Sequence, residues 1–317
     1  MLVVLYQSGG NDNSLRVMEA CRRLKREYFC LDVDVIFGKC MRRWDTREDL
    51  DYKYIGGCDL NQAKAIFNGV FAKIGRNISA KSSQEYSVFI CQELHDILFG
   101  SLLNLNGVLW MNNPQQVMLA NLKTLQLSIA RDFGFIIPKT VMSNSREVLM
   151  DFFSQMKGNV VTKAIHMGNI SSNGDSQHTL LYTSKVNKES LDILQETNAI
   201  PILLQEYIAN KSELRVVVIG DRVFTCVVND DNESVDWRVM PEAIQSSFSI
   251  DLPYCVSEKC KELVRHLGLL CGVIDIVKDK TTGDYYFLEI NQQGTWNWME
   301  EKLGLPIGDS IVKLLSA

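Results

Sequence analysis

The chain has 317 residues, 46% of them apolar and 22% charged, which excludes a disordered or repetitive polymer and gives room for two or three lobes. Its 33 Lys and Arg stand against 38 Asp and Glu, a formal charge of -5, which excludes a general nucleic-acid surface because backbone binding needs many cations. The nine cysteines form no CxxC pair and several sit in apolar runs, a reduced cytoplasmic inventory rather than a disulfide or zinc framework.

The first predicted element is a strand over residues 2–6 (LVVLY), too short and too soon followed by polar residues for a signal peptide. No later stretch approaches the length of a membrane span. Gly9-Gly10 reads as a tight turn, since the full glycine-rich dinucleotide pattern is missing. A helix follows from about Ser14, with Val17, Cys21, Leu24 and Tyr28 at three- and four-residue spacing. Its run Cys21-Arg22-Arg23-Leu24-Lys25-Arg26 reads first as a solvated face. Leu31 to Phe37 predicts a second strand, so the opening is β-α-β. Residues 40–60 are mixed and charged, with Arg42, Arg43 and Arg47, and predict an irregular excursion or short hairpin.

Gln84 to Leu103 is helical in pattern, and Leu109 to Pro114 breaks it at a domain boundary. Residues 115–133 predict one helix whose apolar face is Met118, Leu122, Leu125, Ile129 and Phe133, closed by Gly134. Val160 to Ala164 predicts a strand answered by Leu180 to Thr183 across a polar tip at 166–175. Ile202 to Tyr207 then opens a second lobe. There, Arg215–Ile219 and Val223–Val228 are joined by a type II′ turn at Gly220-Asp221. Residues 256–267 form an amphipathic helix with Val256, Cys260, Leu263, Val264 and Leu267 inward, and Gly272–Val277 and Tyr285–Ile290 are the last two strands.

Asp275 interrupts an apolar strand, and on the facing strand a period of two puts Phe287, Glu289 and Asn291 on one side. Asp275, Glu289 and Asn291 can therefore converge as hard oxygen ligands suited to Mg2+. The alternative is that Asp275 pairs with a buried Lys or Arg, while Glu289 to Asn291 leads out of the strand. Lys123, in the predicted helix, and Lys163, in a predicted strand, each need an anion: a triphosphate, or a salt bridge. His95 and His266 fall on predicted helices as surface residues, and only His166 lies near this centre.

With these residues in view, the chain resembles the ATP-grasp superfamily, in its RimK-like branch, and most of all the graspetide maturases of microviridin and grasp-with-spasm type. The resemblance runs from about Trp110 to the end. It rests on the order of Asn112-Asn113-Pro114 with Lys123, Val161-Thr162-Lys163, Leu204-Gln205-Glu206-Tyr207-Ile208 and Glu213-Leu214-Arg215. Gly272-Val273-Ile274-Asp275, Phe287-Leu288-Glu289-Ile290-Asn291 and the Trp-rich segment from Gly294 to Glu300 follow. It implies an α/β ATP-grasp fold with a pre-ATP-grasp N-terminal domain at 1–110. A central lobe with a phosphate-covering loop spans 111–195, and a C-terminal lobe with the Mg-binding strands spans 196–317.

The resemblance further implies ATP and Mg2+ as cofactors. Lys123 and Lys163 would meet the phosphates, with Gln205, Glu206, Tyr207 and Ile208 at the adenine and Glu213 at the ribose. Asp275, Glu289 and Asn291 would hold Mg2+, and Arg215 and Arg238 would lie at the transferred phosphate. The implied reaction is carboxylate activation as an acyl phosphate, with ADP and phosphate released, on a ribosomal precursor peptide that carries a leader segment. The enzyme would be a cytoplasmic homodimer, with Trp296 and Trp298 as core or dimer anchors. One alternative is a small-molecule carboxylate-amine ligase of the glutathione-synthetase or RimK type. The other is a non-catalytic ATP-binding scaffold.

Overall fold

The computed structural model describes residues 1–7, 12–33, 54–55, 58–70, 84–166, 169–171, 178–192, 200–228, 235–239 and 241–317. The Gly9-Gly10 turn, Arg42, Arg43 and Arg47, and most of the 166–175 tip lie outside the described residues.

β1 (Leu2–Tyr6) is apolar at successive positions because both of its faces are covered. Leu2 and Val4 pack with Val17 and Cys21 of α1 (Asn13–Arg23), whereas Val3 and Leu5 pack with Leu98 and Leu102 of α2 (Gln84–Leu103). β2 (Tyr28–Asp32) starts earlier than the sequence predicts: Tyr28 begins the strand and does not continue the helix face. β3 (Ala65–Asn68) and β4 (Leu109–Met111) complete a parallel sheet of order β2-β1-β3-β4. The expected break at 109–111 is thus its edge strand. The next helix starts where the sequence signals it, with Pro114 at its first turn and the Asn113 side chain accepting from the Gln115 N–H at 2.9 Å.

The single helix expected over 115–133 is two, α3 (Pro114–Ala120) and α4 (Lys123–Asp132). Leu122 between them is extended, and the Gln126 side chain takes the Ala120 carbonyl at 2.6 Å. Met118 and Leu122 face solvent, so the predicted apolar face fails at its N-terminal end, while Ile129 and Phe133 pack against the C-terminal core as expected. The buried positions of α4 are Gln126 and Ala130.

The central sheet is antiparallel. It comprises β5 (Thr140–Ser143), β6 (Val160–Thr162), β7 (Ser184–Lys185) and β8 (Ile202–Glu206), in the order β7-β6-β8-β5. α5 (Arg146–Gln155) covers it through Leu149, against Val160 and Leu204. Two expectations are corrected by the pairing. The strand answering Val160–Thr162 is Ser184–Lys185, because His178–Leu180 pairs with Asn169–Ser171 instead. Ile202–Glu206 belongs to this sheet and not to the one that follows it.

The C-terminal sheet is built from β9 (Lys211–Ile219), β10 (Arg222–Val228), β11 (Phe248–Ile250), β12 (Cys271–Asp279) and β13 (Tyr285–Asn291), ordered β11-β10-β9-β12-β13. Ile219 pairs with Arg222, and φ is +54° at Gly220, which glycine adopts without strain in the predicted two-residue turn. One face buries Leu214, Val216, Ile274 and Ile276 under α6 (Tyr254–His266), whose Val256, Cys260, Leu263 and Val264 point inward as predicted. The other face carries Val217, Ile219 and Val273. It shares a core with the N-terminal sheet, Trp296, α7 (Asn297–Leu303) and α8 (Ile307–Leu315). Trp296 is therefore a core anchor. No helix among the described residues is long and apolar enough to cross a membrane.

β13 departs from strict alternation. Asp275 pairs with Glu289, but Ile276 pairs with Phe287, so Leu288 is an extra residue in a β-bulge. Phe287 consequently turns into the α6 core and does not share a side with Glu289 and Asn291, as period two predicted.

Candidate functional site

Register brings the first three groups together. Arg215 on β9 is paired with Asp275 on β12, which is paired with Glu289 on β13, so the three side chains form a row across adjacent strands. Arg215 Nη1 donates to both oxygens of Asp275, at 2.7 and 3.1 Å. Asn291 Nδ2 donates to Asp275 Oδ2 at 3.2 Å and to Glu289 Oε1 at 3.1 Å. The second of the two readings of Asp275, a buried cationic partner, is seen directly in this geometry.

The facing wall supplies the lysines. Lys123 is the first residue of α4, not a mid-helix residue, and its Nζ meets Glu289 Oε2 at 2.9 Å. Lys163 lies one residue beyond the end of β6, and its Nζ donates to the bulge carbonyl of Leu288 at 3.4 Å. Burial lowers the Lys163 ammonium from its ordinary range, with Lys123 adding to the effect against the pull of Glu289 and Asp275. Burial opposes charge on Glu289 as well. Lys163, Lys123 and the Asn291 hydrogen bond nevertheless outweigh it and hold the carboxyl well below the usual range. Burial pushes Asp275 up, against Arg215, with Glu289 reinforcing the rise.

The rim is more polar. The Tyr207 ring lies between Lys185 and Lys211, whose ammonium nitrogens are 4.8 and 5.2 Å from its centroid. Lys211 also meets Glu213 at 2.5 Å, and burial raises the Glu213 carboxyl despite that partner. Gln205 donates to Thr140 Oγ1 at 2.9 Å. The N–H groups of Glu206 and Tyr207 are taken by the carbonyls of Lys139 and Asn159, at 2.8 and 2.9 Å. On the opposite rim, Arg238 grips Asp236 through Nε at 2.8 Å and Nη2 at 2.6 Å. Asp236 also accepts from the Thr183 N–H at 3.0 Å, which ties the central lobe to the C-terminal lobe. Asp236 is buried, but Arg238 and the two main-chain donors hold its carboxyl low; Arg238 is raised by the same hydrogen bond.

These groups enclose a cleft of about 290 Å³. Lys123, Lys163, Gln205, Glu206, Tyr207, Ile208, Glu213, Arg238, Asp275, Glu289 and Asn291 all line it, as does His166. Arg215 stands behind Asp275 rather than on the wall, with its Nη2 on the Thr295 carbonyl at 3.0 Å. Sequence reasoning missed Asp236, Thr183, Lys211 and Gln126. A signal existed for two of them: Asp236 lies two residues before Arg238, and Gln126 lies one helical turn after Lys123.

A family model described as a RimK-like ATP-grasp domain matches residues 120–315. The chain belongs to the RimK-like ATP-grasp family. A search of curated proteins returned no match. Among solved structures, this RimK-like chain is similar to the macrocyclase MdnC from Microcystis aeruginosa MRC, solved bound with precursor peptide MdnA. Identity is 25%, TM-score 0.85, and 99% of each chain is covered. It also shares its fold with a RiPP-associated ATP-grasp ligase of Chryseobacterium gregarium, solved with ADP and a leader and core peptide. There identity is 23% and TM-score 0.86, over 99% of this chain and 96% of that one. PsnB, solved with a minimal precursor, Mg and ADP, shares the fold at 18% identity and TM-score 0.76, over 99% of this chain and 97% of that one.

Proposed function

We propose that this ATP-grasp chain is an ATP-dependent carboxylate ligase that forms side-chain ester or amide bonds in a ribosomal precursor peptide. The observation that carries the reading is the cleft in which Asp275 and Glu289, registered on adjacent strands, face Lys123 and Lys163 from the other wall. The full-length likeness to a macrocyclase solved with its precursor peptide supports the peptide as substrate.

The donor set fits a magnesium ion. Asp275, Glu289 and the Asn291 amide oxygen are hard oxygen ligands; Asn291 turns its Nδ2 to both carboxylates, and an ion bound there would take the amide oxygen in its place. Among the described residues no third His, Cys, Asp or Glu joins them, which suits an ion that keeps phosphate and water ligands. When bound, the ion would screen charge on the transferring phosphoryl group. Lys123 and Lys163 bind the phosphates, while Arg238, fixed by Asp236, holds charge at the cleft mouth. Glu213 accepts from ribose hydroxyls. With two main-chain N–H groups of the hinge already engaged, adenine is read by the remaining main-chain groups around Ile208. Arg215 acts from behind Asp275.

In the reaction, a substrate carboxylate oxygen bonds to the γ-phosphorus and the bond to the β–γ bridging oxygen breaks, releasing ADP. A hydroxyl or amine of the same peptide then attacks the acyl carbon; phosphate departs and the nucleophile loses its proton. A homodimer in the cytoplasm that holds the peptide by its leader completes the reading. The test is incubation with ATP, Mg2+ and a candidate precursor peptide that carries a leader and an Asp/Glu- and Ser/Thr- or Lys-rich core. ADP, phosphate and loss of one water per bond are expected. Release of AMP and pyrophosphate in step with product would overturn it.

A further inference from the structure

β13 is an edge strand, so its outer main-chain groups need partners from outside the sheet. Phe287 N–H finds the Ile136 carbonyl at 2.9 Å, and the Leu288 carbonyl finds Lys163. At Ile290, between Glu289 and Asn291, the partner is one buried side chain. Gln126 Oε1 accepts from the Ile290 N–H at 3.1 Å, and Gln126 Nε2 donates to the Ile290 carbonyl at 3.0 Å. The second amide hydrogen goes to the Ala120 carbonyl at 2.6 Å, at the break between α3 and α4. The carboxamide thus pairs with Ile290 as a neighbouring strand would, through its oxygen and one N–H, and its other N–H ties that pairing to the helix break.

The two residues it joins are not arbitrary. Gln126 lies one turn along the helix that begins with Lys123, and Ile290 is flanked by two of the three groups that converge on the carboxylate row. We propose that Gln126 is a positioning residue, which fixes Glu289 and Asn291 against Lys123 so that metal ligands and phosphate-binding lysine address one phosphate group. Gln126 borders the cleft, but all three of its side-chain hydrogen bonds go to main chain, so it acts through Ile290 and α4 rather than through nucleotide. The inference rests on the ATP- and magnesium-binding reading of the cleft.

Gln126→Glu keeps the shape and the acceptor, but sets a carboxylate oxygen against the Ile290 and Ala120 carbonyls. Gln126→Met keeps the length and removes all three hydrogen bonds. The measurement is calorimetric affinity for ADP with Mg2+ and with EDTA, on folded protein checked by circular dichroism. The ratio of the two affinities isolates the metal-dependent gain, which a merely structural role would not move. In the wild-type chain magnesium strengthens ADP binding, and in the variants that gain falls by fivefold or more. A gain reduced by less than fivefold in both variants, with only a lower melting temperature, overturns the role of Gln126 and leaves the ATP site standing. Loss of folding in both variants overturns it too, as Gln126 is then a folding residue. Absence of any magnesium-dependent gain in the wild-type chain overturns the cleft reading and this inference together.

Discussion

Arg215 and Asp275 face each other across paired strands, and one guanidinium nitrogen takes both carboxylate oxygens, at 2.7 and 3.1 Å. The other terminal nitrogen holds the Thr295 carbonyl. Arg215 therefore links the acidic row to the segment that leaves β13. The ion pair is compatible with a metal at Asp275, since Oδ1 accepts from Arg215 alone and keeps a lone pair, whereas Oδ2 already accepts from both Arg215 and Asn291.

Removal of that cation should be costly. The Arg215 side chain is 7% exposed and Asp275 19%, so Arg215→Ala leaves a nearly buried carboxylate without its partner. The expected loss of stability is roughly 3–5 kcal/mol. Arg215→Lys restores the charge but cannot span Asp275 and Thr295 with one planar fork, and should recover only part of the loss. Urea unfolding measures both. A change below about 1 kcal/mol in the Ala variant, the scale of an exposed pair, would contradict the geometry.

Glu289→Gln tests the chemistry rather than the fold. The side chain keeps its size, and its neighbours Lys123 and Lys163 lose their shared anion. ADP formation should fall by roughly a hundredfold or more, the scale of losing one preorganised electrostatic contact. Circular dichroism should remain native. Near-normal turnover would remove Glu289 from the machinery.

Asp236 supplies a pH signature. Its folded carboxyl lies below the ordinary value of 3.8, because Arg238 and the main-chain donors overcome burial. A depressed acid stabilises the fold above its unfolded value, and the contribution fades as pH falls through the folded value. Wild type and Asp236→Asn should therefore differ in melting temperature by a constant amount at neutral pH. The two should converge only below about pH 3.8, in the window where the native carboxylate takes up its proton. A gap that closes already between pH 5 and 7 would assign the titration to another group.

The period-two and helical patterns made much of this legible. α6 has the inward face the sequence predicts, and Asp275, Glu289 and Asn291 meet as expected. What failed has local causes. The bulge at Leu288 reverses Phe287, and no composition rule announces a single extra residue. α3 and α4 read as one helix because Met118 and Leu122 keep the right spacing while facing solvent. The pairing of β8 with β6 joins residues some forty positions apart, which strand propensity alone does not resolve. Gln126 looks like any helical glutamine until Ile290 is placed beside it.

Gly294 offers a test in which space alone decides. Its φ is not in the left-handed region, so no backbone constraint forbids a side chain there. A Cβ at this position would lie 2.8 Å from Val273 Cβ and 3.0 Å from Arg215 Nη2. Val273 is on β12, two residues before Asp275, and its Cβ cannot swing away without moving the strand. Gly294→Ala must therefore displace either the 292–296 segment or the Arg215 fork, and both carry the Thr295 contact. Gly272 is the matched control. A Cβ there meets the ends of Ile290 and Val264, at 2.8 and 2.9 Å, on the α6 side of the sheet and away from Arg215. The Ile290 terminal carbon can rotate, and Val264, stiff at χ1, gives way by a small shift of α6. Each substitution should destabilise by roughly 1–3 kcal/mol, the range for overpacking, with Gly272→Ala at the lower end. The decisive quantity is turnover at a temperature where both variants are folded. Gly294→Ala should lose at least tenfold in ADP formation, and Gly272→Ala less than threefold. Equal losses in the two variants would show that Arg215 and the 292–296 segment tolerate displacement, and would detach this fork from the reaction.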